Sequence, residues 1–220
     1  MNVVVVAAHP DDEILGAGAT LARHVQVGDD VHAVVLADGA LSRYDEHMVG
    51  ELQAGGVAAA RHIGFASLRF EAFPDQRLDQ VAMVDLTQHV ETVLMELQPD
   101  VVYTHFRGDV NADHSLVAQA VWTACRPYRM PQVRLIAAFE TPSSTEWSSA
   151  AEGATFRPTM FVDVATTIHC KLAAMSCYSS ELREYPHPRS LRALRERASY
   201  WGSVVGLSAA EPFLVLRDVR

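Results

Sequence analysis

The chain has 220 residues, 49% hydrophobic and 20% charged, a balance that excludes a disordered chain, a coiled coil or a collagen. Eighteen basic against 27 acidic residues leave a net charge of −9, which argues against nucleic acid as the main partner. At about 150 residues per domain the length predicts one domain, 1–220, with core enough to fold without staples.

The elements alternate along the first half. Val3–Ala7 is an unbroken apolar run, the mark of a strand buried on both faces. A turn at His9–Glu13 leads into a helix from about Ile14 to Val27, then a strand at Val31–Ala37 that ends on Asp38-Gly39. An alanine-rich helix spans about Glu46 to His62, with Gly64 as its stop. Ser67–Phe70 reads as a short strand, Phe73-Pro74-Asp75 as a turn, and Val84–Leu97 as a helix closed by Pro99-Asp100. Val101–Thr104 is another buried strand, followed by a polar loop, a helix from about His114 to Cys125, and a strand at Val133–Phe139.

Beyond Phe139 the pattern loosens. Thr159–Val164 reads as a strand, 165–181 and 190–204 as helical, and Phe213–Leu216 as a last, edge strand. Strand–helix alternation with short links implies right-handed crossovers and a parallel sheet covered on both faces. The expected fold is therefore α/β, a Rossmann-like three-layer αβα sandwich with a mostly parallel central sheet. Its Rossmann-like half covers about 1–140 and a C-terminal elaboration about 141–220.

Compartment signals are few. No apolar run approaches the roughly 20 residues of a membrane span, and Met1-Asn2 places no basic residue before Val3–Ala8, so neither a span nor a signal peptide is expected. Cys125, Cys170 and Cys177 are odd in number and form no C-x-x-C, which reads as reduced thiols in a cytoplasmic protein.

Two polar clusters stand where open α/β sheets build their sites, just past the carboxyl ends of buried strands. Ala8-His9-Pro10-Asp11-Asp12-Glu13 follows the first strand, and Gly108-Asp109-Val110-Asn111-Ala112-Asp113-His114 follows Val101–Thr104. Two histidines and a carboxylate suit a catalytic zinc with an open position for water. Such a metal brings the pKa of its water toward about 7 and polarises a carbonyl. Of two adjacent aspartates, one can bind the metal while the other serves as general base. The competing reading makes Asp11, Asp12 and Asp113 mere helix N-caps, and Glu13 a first-turn carboxylate favoured by the helix dipole. Gly16-Ala17-Gly18 mimics a dinucleotide fingerprint but lacks its third glycine, so a nicotinamide cofactor is rejected.

At these residues the sequence resembles the LmbE-like, or PIG-L, family of zinc-dependent N-deacetylases. Ala8-His9-Pro10-Asp11-Asp12-Glu13 matches the family's A-H-P-D-D-E signature, and Asp113-His114 its later D-H. Asp38-Gly39, Phe73-Pro74-Asp75, Pro99-Asp100 and Ala210-Glu211-Pro212-Phe213 support it. The resemblance implies His9, Asp12 and His114 as zinc ligands and Asp11 as general base, though another divalent transition metal can occupy such a set. It further implies attack of an activated water on an acetamide carbonyl of an N-acetylglucosamine-type substrate, releasing acetate and a free amine. Homo-oligomers, trimers or hexamers, are common in the family.

The sequence departs from the pattern twice. Asn111 stands where many members carry a histidine that steadies the oxyanion; an amide can donate a hydrogen bond but cannot deliver a proton. His187, in Tyr185-Pro186-His187-Pro188, is the first candidate for a replacement and His105 the second. The second helix also lacks the family's arginine, for which Arg43 can substitute in holding substrate. Asp75, Arg77 and Glu140, each near a carboxyl edge, are further substrate-binding candidates, and Ser143-Ser144-Thr145-Glu146-Trp147 offers hydroxyls and an aromatic face. His24, His32, His47, His62, His89 and His169 lie inside elements and read as structural or surface residues. Rivals to the deacetylase reading are an amidase on a different N-acyl small molecule, such as an antibiotic precursor, and a non-catalytic sugar- or nucleotide-binding module.

Overall fold

The computed structural model describes residues 1–38, 46–149 and 155–220. The elements run β1 (Asn2–Ala7), α1 (Asp12–Gln26), β2 (Asp30–Ala37), α2 (Glu46–Ile63), β3 (Ser67–Phe73), α3 (Met83–Leu97), β4 (Val101–His105) and α4 (Ala112–Ala124). They continue with β5 (Leu135–Phe139), β6 (Met160–Asp163), α5 (Ile168–Cys177), α6 (Leu191–Val204) and β7 (Ala210–Asp218). One seven-stranded sheet holds every strand, in the order β3-β2-β1-β4-β5-β7-β6.

The first five strands are parallel, and the apolar runs of β1 and β4 fit strands covered by helices on both faces. Alternation along each strand divides the core in two. Val3 and Val5 face one layer with Leu15, Leu21, Leu52 and Met175 from α1, α2 and α5. Val4 and Val6 face the other with Leu86, Leu94, Val117 and Val121 from α3 and α4. The result is the expected αβα sandwich with a mostly parallel sheet.

The tail of the sheet corrects the edge-strand expectation. β7 lies between β5 and β6 and pairs antiparallel with both, so it is an interior strand, and β6 and β3 form the edges. An antiparallel return needs no crossover helix, so a strand arriving from α6 can enter beside β5. Near the middle of α1, Gly16 lets β5 approach: a Cβ there would run into the Phe139 ring. Close packing accounts for this part of the glycine pair that mimics a nucleotide fingerprint.

Strand order reverses between β1 and β4, which are hydrogen-bonded neighbours. The crevice past their carboxyl ends is where ligands bind in open α/β sheets. Both polar clusters identified in the sequence open into it.

Candidate active site

β1 ends at Ala7, and the chain turns sharply before α1. Asp11 sits in the left-handed region at φ 103°, a strained setting that aspartate tolerates better than most residues. It occupies the N-cap position, where its carbonyl accepts from Ile14 and Leu15, yet its side chain makes no cap hydrogen bond. The carboxylate is thereby left for the crevice. Glu13 supports the turn from behind: its Oε2 accepts from the Asp11 amide at 3.2 Å and its Oε1 from the Tyr178 hydroxyl at 2.6 Å. Burial raises the Glu13 carboxyl to about 7.

The second cluster is organised by α4. Asn111 caps the helix by accepting from the Asp113 amide at 2.9 Å, which corrects the reading of Asp113 as a cap and places His114 one turn in. His114 Nε2 lies 3.2 Å from Asp12 Oδ2 and 3.3 Å from His9 Nδ1, and His9 Nδ1 lies 3.1 Å from the same Asp12 oxygen. The ligand atoms of His9, Asp12 and His114 all fall within 4.8 Å of one another.

The donor set fits a divalent metal. Two imidazole nitrogens and a carboxylate converge on one point, and Asp12 Oδ1 is buried with no hydrogen-bond partner among the described residues. Each histidine also has a carboxylate near its other nitrogen: His9 Nε2 hydrogen-bonds Asp113 Oδ2 at 3.1 Å, and His114 Nδ1 lies 3.3 Å from Asp109 Oδ2 without hydrogen-bond geometry. That carboxylate–histidine pairing fixes tautomer and aim in metal sites. Asp109 is itself held by Ser144, Thr145 and the Asn111 amide.

The charges agree with a cation site. Burial opposes charge on His9, but Asp113 and Asp12 outweigh it and lift the imidazole to about 10. Burial would raise Asp12, yet His114 and the hydrogen bond from His9 hold it well below the usual carboxylate range. Asp11 moves the other way, well above that range, because burial outweighs Arg189. A carboxyl raised by its surroundings beside a convergent donor set is a recurrent mark of a general base.

A cavity of about 560 Å³ opens over the cluster. Asp11, Asp75, Asn111 and His187 line it, together with His9 and His114. Asp75 Oδ1 is 3.3 Å from His9 Nε2, and Asn111 Nδ2 donates to Gln76 Oε1 at 3.3 Å. His187 Nδ1 accepts from the Arg189 amide at 3.1 Å, and burial with the nearby Arg189 and Arg183 keeps the ring below its ordinary pKa.

Other candidates lie elsewhere. His105 is fully buried behind the cluster, its Nε2 accepting from the Ala8 amide at 2.9 Å and its Nδ1 3.1 Å from Thr141 Oγ1. With both nitrogens taken up, it presents no proton to the cavity, which removes it as the replacement histidine. The Glu140 carboxylate does not line the cavity; it accepts from Arg197 at 2.6 and 2.7 Å and from the Trp201 indole at 2.7 Å. Arg77 is exposed and outside the cavity wall, and Arg43 lies outside the described residues.

Sequence reasoning missed Arg189, Gln76 and Asp109. Arg189 Nη1 donates to Asp11 Oδ2 at 2.9 Å and to Glu181 Oε2 at 2.7 Å, and its Nε to Ser143 Oγ at 2.7 Å. Its one signal was position, directly after His187-Pro188. Asp109 stood inside the quoted second cluster, but nothing local showed that it faces His114.

The comparisons with known proteins fit this architecture. An uncharacterized deacetylase of Escherichia coli strain K12, YaiS, is 33% identical over 191 residues, covering 81% of this chain and 91% of that one. The diacetylchitobiose deacetylase of Thermococcus kodakarensis is 26% identical over 222 residues, covering 96% of this chain and 81% of that one. The crystal structure of the conserved protein TT1542 from Thermus thermophilus has the same fold, with a TM-score of 0.81 and 24% identity over 100% of this chain and 96% of that one. The family described as PIG-L, GlcNAc-PI de-N-acetylase, matches residues 4–125, which hold both clusters, and the chain belongs to that family.

Proposed function

We propose that the protein is a zinc-dependent hydrolase that removes the acetyl group from an N-acetylated amino sugar, of N-acetylglucosamine type, free or as a conjugate. The observation that carries this reading is the convergence of His9, Asp12 and His114 within 4.8 Å, with His9, His114 and a buried Asp11 lining one cavity. The deacetylases among the relatives, one of them a diacetylchitobiose enzyme, support the substrate class.

In this reading His9, Asp12 and His114 hold the metal, which supplies Lewis acidity toward the amide carbonyl and lowers the pKa of water toward about 7. Asp11 takes a proton from the attacking water and hands it to the departing nitrogen. Arg189 keeps the Asp11 carboxylate aimed at the crevice. Asn111 Nδ2 steadies the developing oxyanion. His187 Nδ1 accepts from the Arg189 amide, so its Nε2–H is the edge that can donate a hydrogen bond to the oxyanion. Asp75 binds sugar hydroxyls. Glu140, taken up by Arg197 and Trp201, has no part in this scheme.

The test is acetate release from a panel of N-acetyl amino sugars, free and conjugated, with zinc-loaded wild type, Asp11→Ala and Asp11→Asn. Wild type releases acetate, and both variants lose about 10²- to 10⁴-fold in rate, the ordinary worth of a general base, while metal content by mass spectrometry stays at the wild-type level. No acetate from any member of the panel, with zinc bound, would overturn the reading. Release of a different acid from other N-acyl compounds would replace it with the amidase reading.

A further inference from the structure

The cavity floor is polar, but its rim carries a large aromatic surface that is exposed among the described residues. Trp147 lines the cavity and is 58% exposed, so its indole is presented at the mouth of the site. Val110, 59% exposed, adds a second apolar group to the same rim.

The turn that presents Trp147 is tightly fixed. Thr145 Oγ1 accepts from the Thr141 amide at 2.8 Å and donates to Asp109 Oδ2 at 2.5 Å. Ser144 donates to the other Asp109 oxygen, and the Trp147 amide bonds to the Ser144 carbonyl at 3.1 Å. Glu146 accepts from the Ser143 and Ser144 amides at 2.9 and 3.2 Å. Asp109 is the carboxylate that backs His114, so the indole and the metal cluster hang on one anchor. The His187 and Trp147 rings are perpendicular, with centroids 6.3 Å apart and planes at 87°.

A pyranose ring has polar edges and an apolar C–H face. A firmly held, exposed indole beside polar groups on the same wall is a surface that such a ring can stack on. The cavity, at about 560 Å³, lies in the range that encloses a drug-sized ligand, larger than an acetamido group demands. We propose that Trp147 is the platform for a second pyranose ring, joined to the acetylated sugar, and that it makes the enzyme prefer a glycoside over the single sugar. The inference rests on the deacetylase reading above.

The experiment compares N-acetylglucosamine with N,N′-diacetylchitobiose in wild type, Trp147→Ala and Trp147→Phe, by steady-state kinetics and by tryptophan fluorescence titration. Wild type prefers the disaccharide. In Trp147→Ala the disaccharide-to-monosaccharide ratio of kcat/KM falls about tenfold, carried by KM, and Trp147→Phe recovers part of it. The fluorescence change on adding disaccharide disappears in Trp147→Phe although Trp122 and Trp201 remain.

Equal losses on both sugars, or no change in the ratio, would overturn the platform while leaving the deacetylase reading intact. If neither sugar is hydrolysed, the deacetylase reading fails on these substrates and fluorescence decides the platform alone. A disaccharide response that persists in Trp147→Phe, or none in wild type, then overturns it.

Discussion

Arg189 Nη1 stands 2.9 Å from Asp11 Oδ2 and 2.7 Å from Glu181 Oε2, so a single guanidinium separates two carboxylates at the cavity wall. Asp11 and Glu181 are both buried, which makes the bridging cation costly to lose.

Replacing Arg189 with methionine keeps the bulk but leaves both carboxylates without this partner. We expect a loss of about 1.5–3 kcal/mol in unfolding free energy, the range for hydrogen bonds to charged groups. Denaturant unfolding measures it, and Arg189→Lys should recover part, since it restores charge without the planar fork.

Asp109 is expected to matter to a metal it does not touch. It lies 3.3 Å from His114 Nδ1, and removing such a supporting carboxylate weakens metal binding about 10- to 100-fold. Competition with a chromogenic chelator would show this in Asp109→Asn. Affinity equal to wild type would mean that packing alone aims His114.

His105 offers a pH signature. Burial holds the folded imidazole well below its ordinary pKa, whereas the unfolded chain titrates near 6.5. Between those values the unfolded state binds a proton that the folded state refuses. The stability present above 6.5 is therefore lost as pH falls through it, at up to about 1.4 kcal/mol per pH unit. His105→Phe keeps the ring against His114 and Phe139 but strands the Ala8 amide, at a cost of about 1–3 kcal/mol near neutral pH. Thermal unfolding from pH 7.5 to 5.5, at matched zinc, should show a shallower acid loss in the variant than in wild type.

Gly16→Ala tests the contact between α1 and β5. The added methyl would overlap the Phe139 ring, so either the ring or the helix must move. Overpacking of this kind costs about 1–3 kcal/mol, against the small helix-propensity gain that alanine brings elsewhere. A variant as stable as wild type would show that Phe139 can turn aside freely.

Most of the layered architecture was legible in the chain. Val3–Ala7, Val31–Ala37 and Val101–Thr104 announce buried parallel strands because a strand covered on both faces has no polar side to show. The two clusters were legible for the same local reason: each begins where an apolar run stops. Phe213–Leu216 reads as a last, edge strand because it comes last in the chain, while the neighbours of β7 are chosen by the return of the chain from α6.

The sequence by itself determined that His9, Asp12 and His114 belong to two motifs at the carboxyl ends of strands, with Asp11 beside them. Local spacing suffices to place the two clusters past apolar strands; it is the resemblance to the family that singles out Asp12 from Asp11. Only the tertiary structure decided that Arg189 meets Asp11 across 178 positions, that Asp109 backs His114 and anchors the Trp147 turn, and that Glu140 turns away to Arg197. Those pairings depend on how loops from distant elements pack over the crevice between β1 and β4. That packing is settled by burial and charge balance across the whole fold, and no short window of sequence contains both partners.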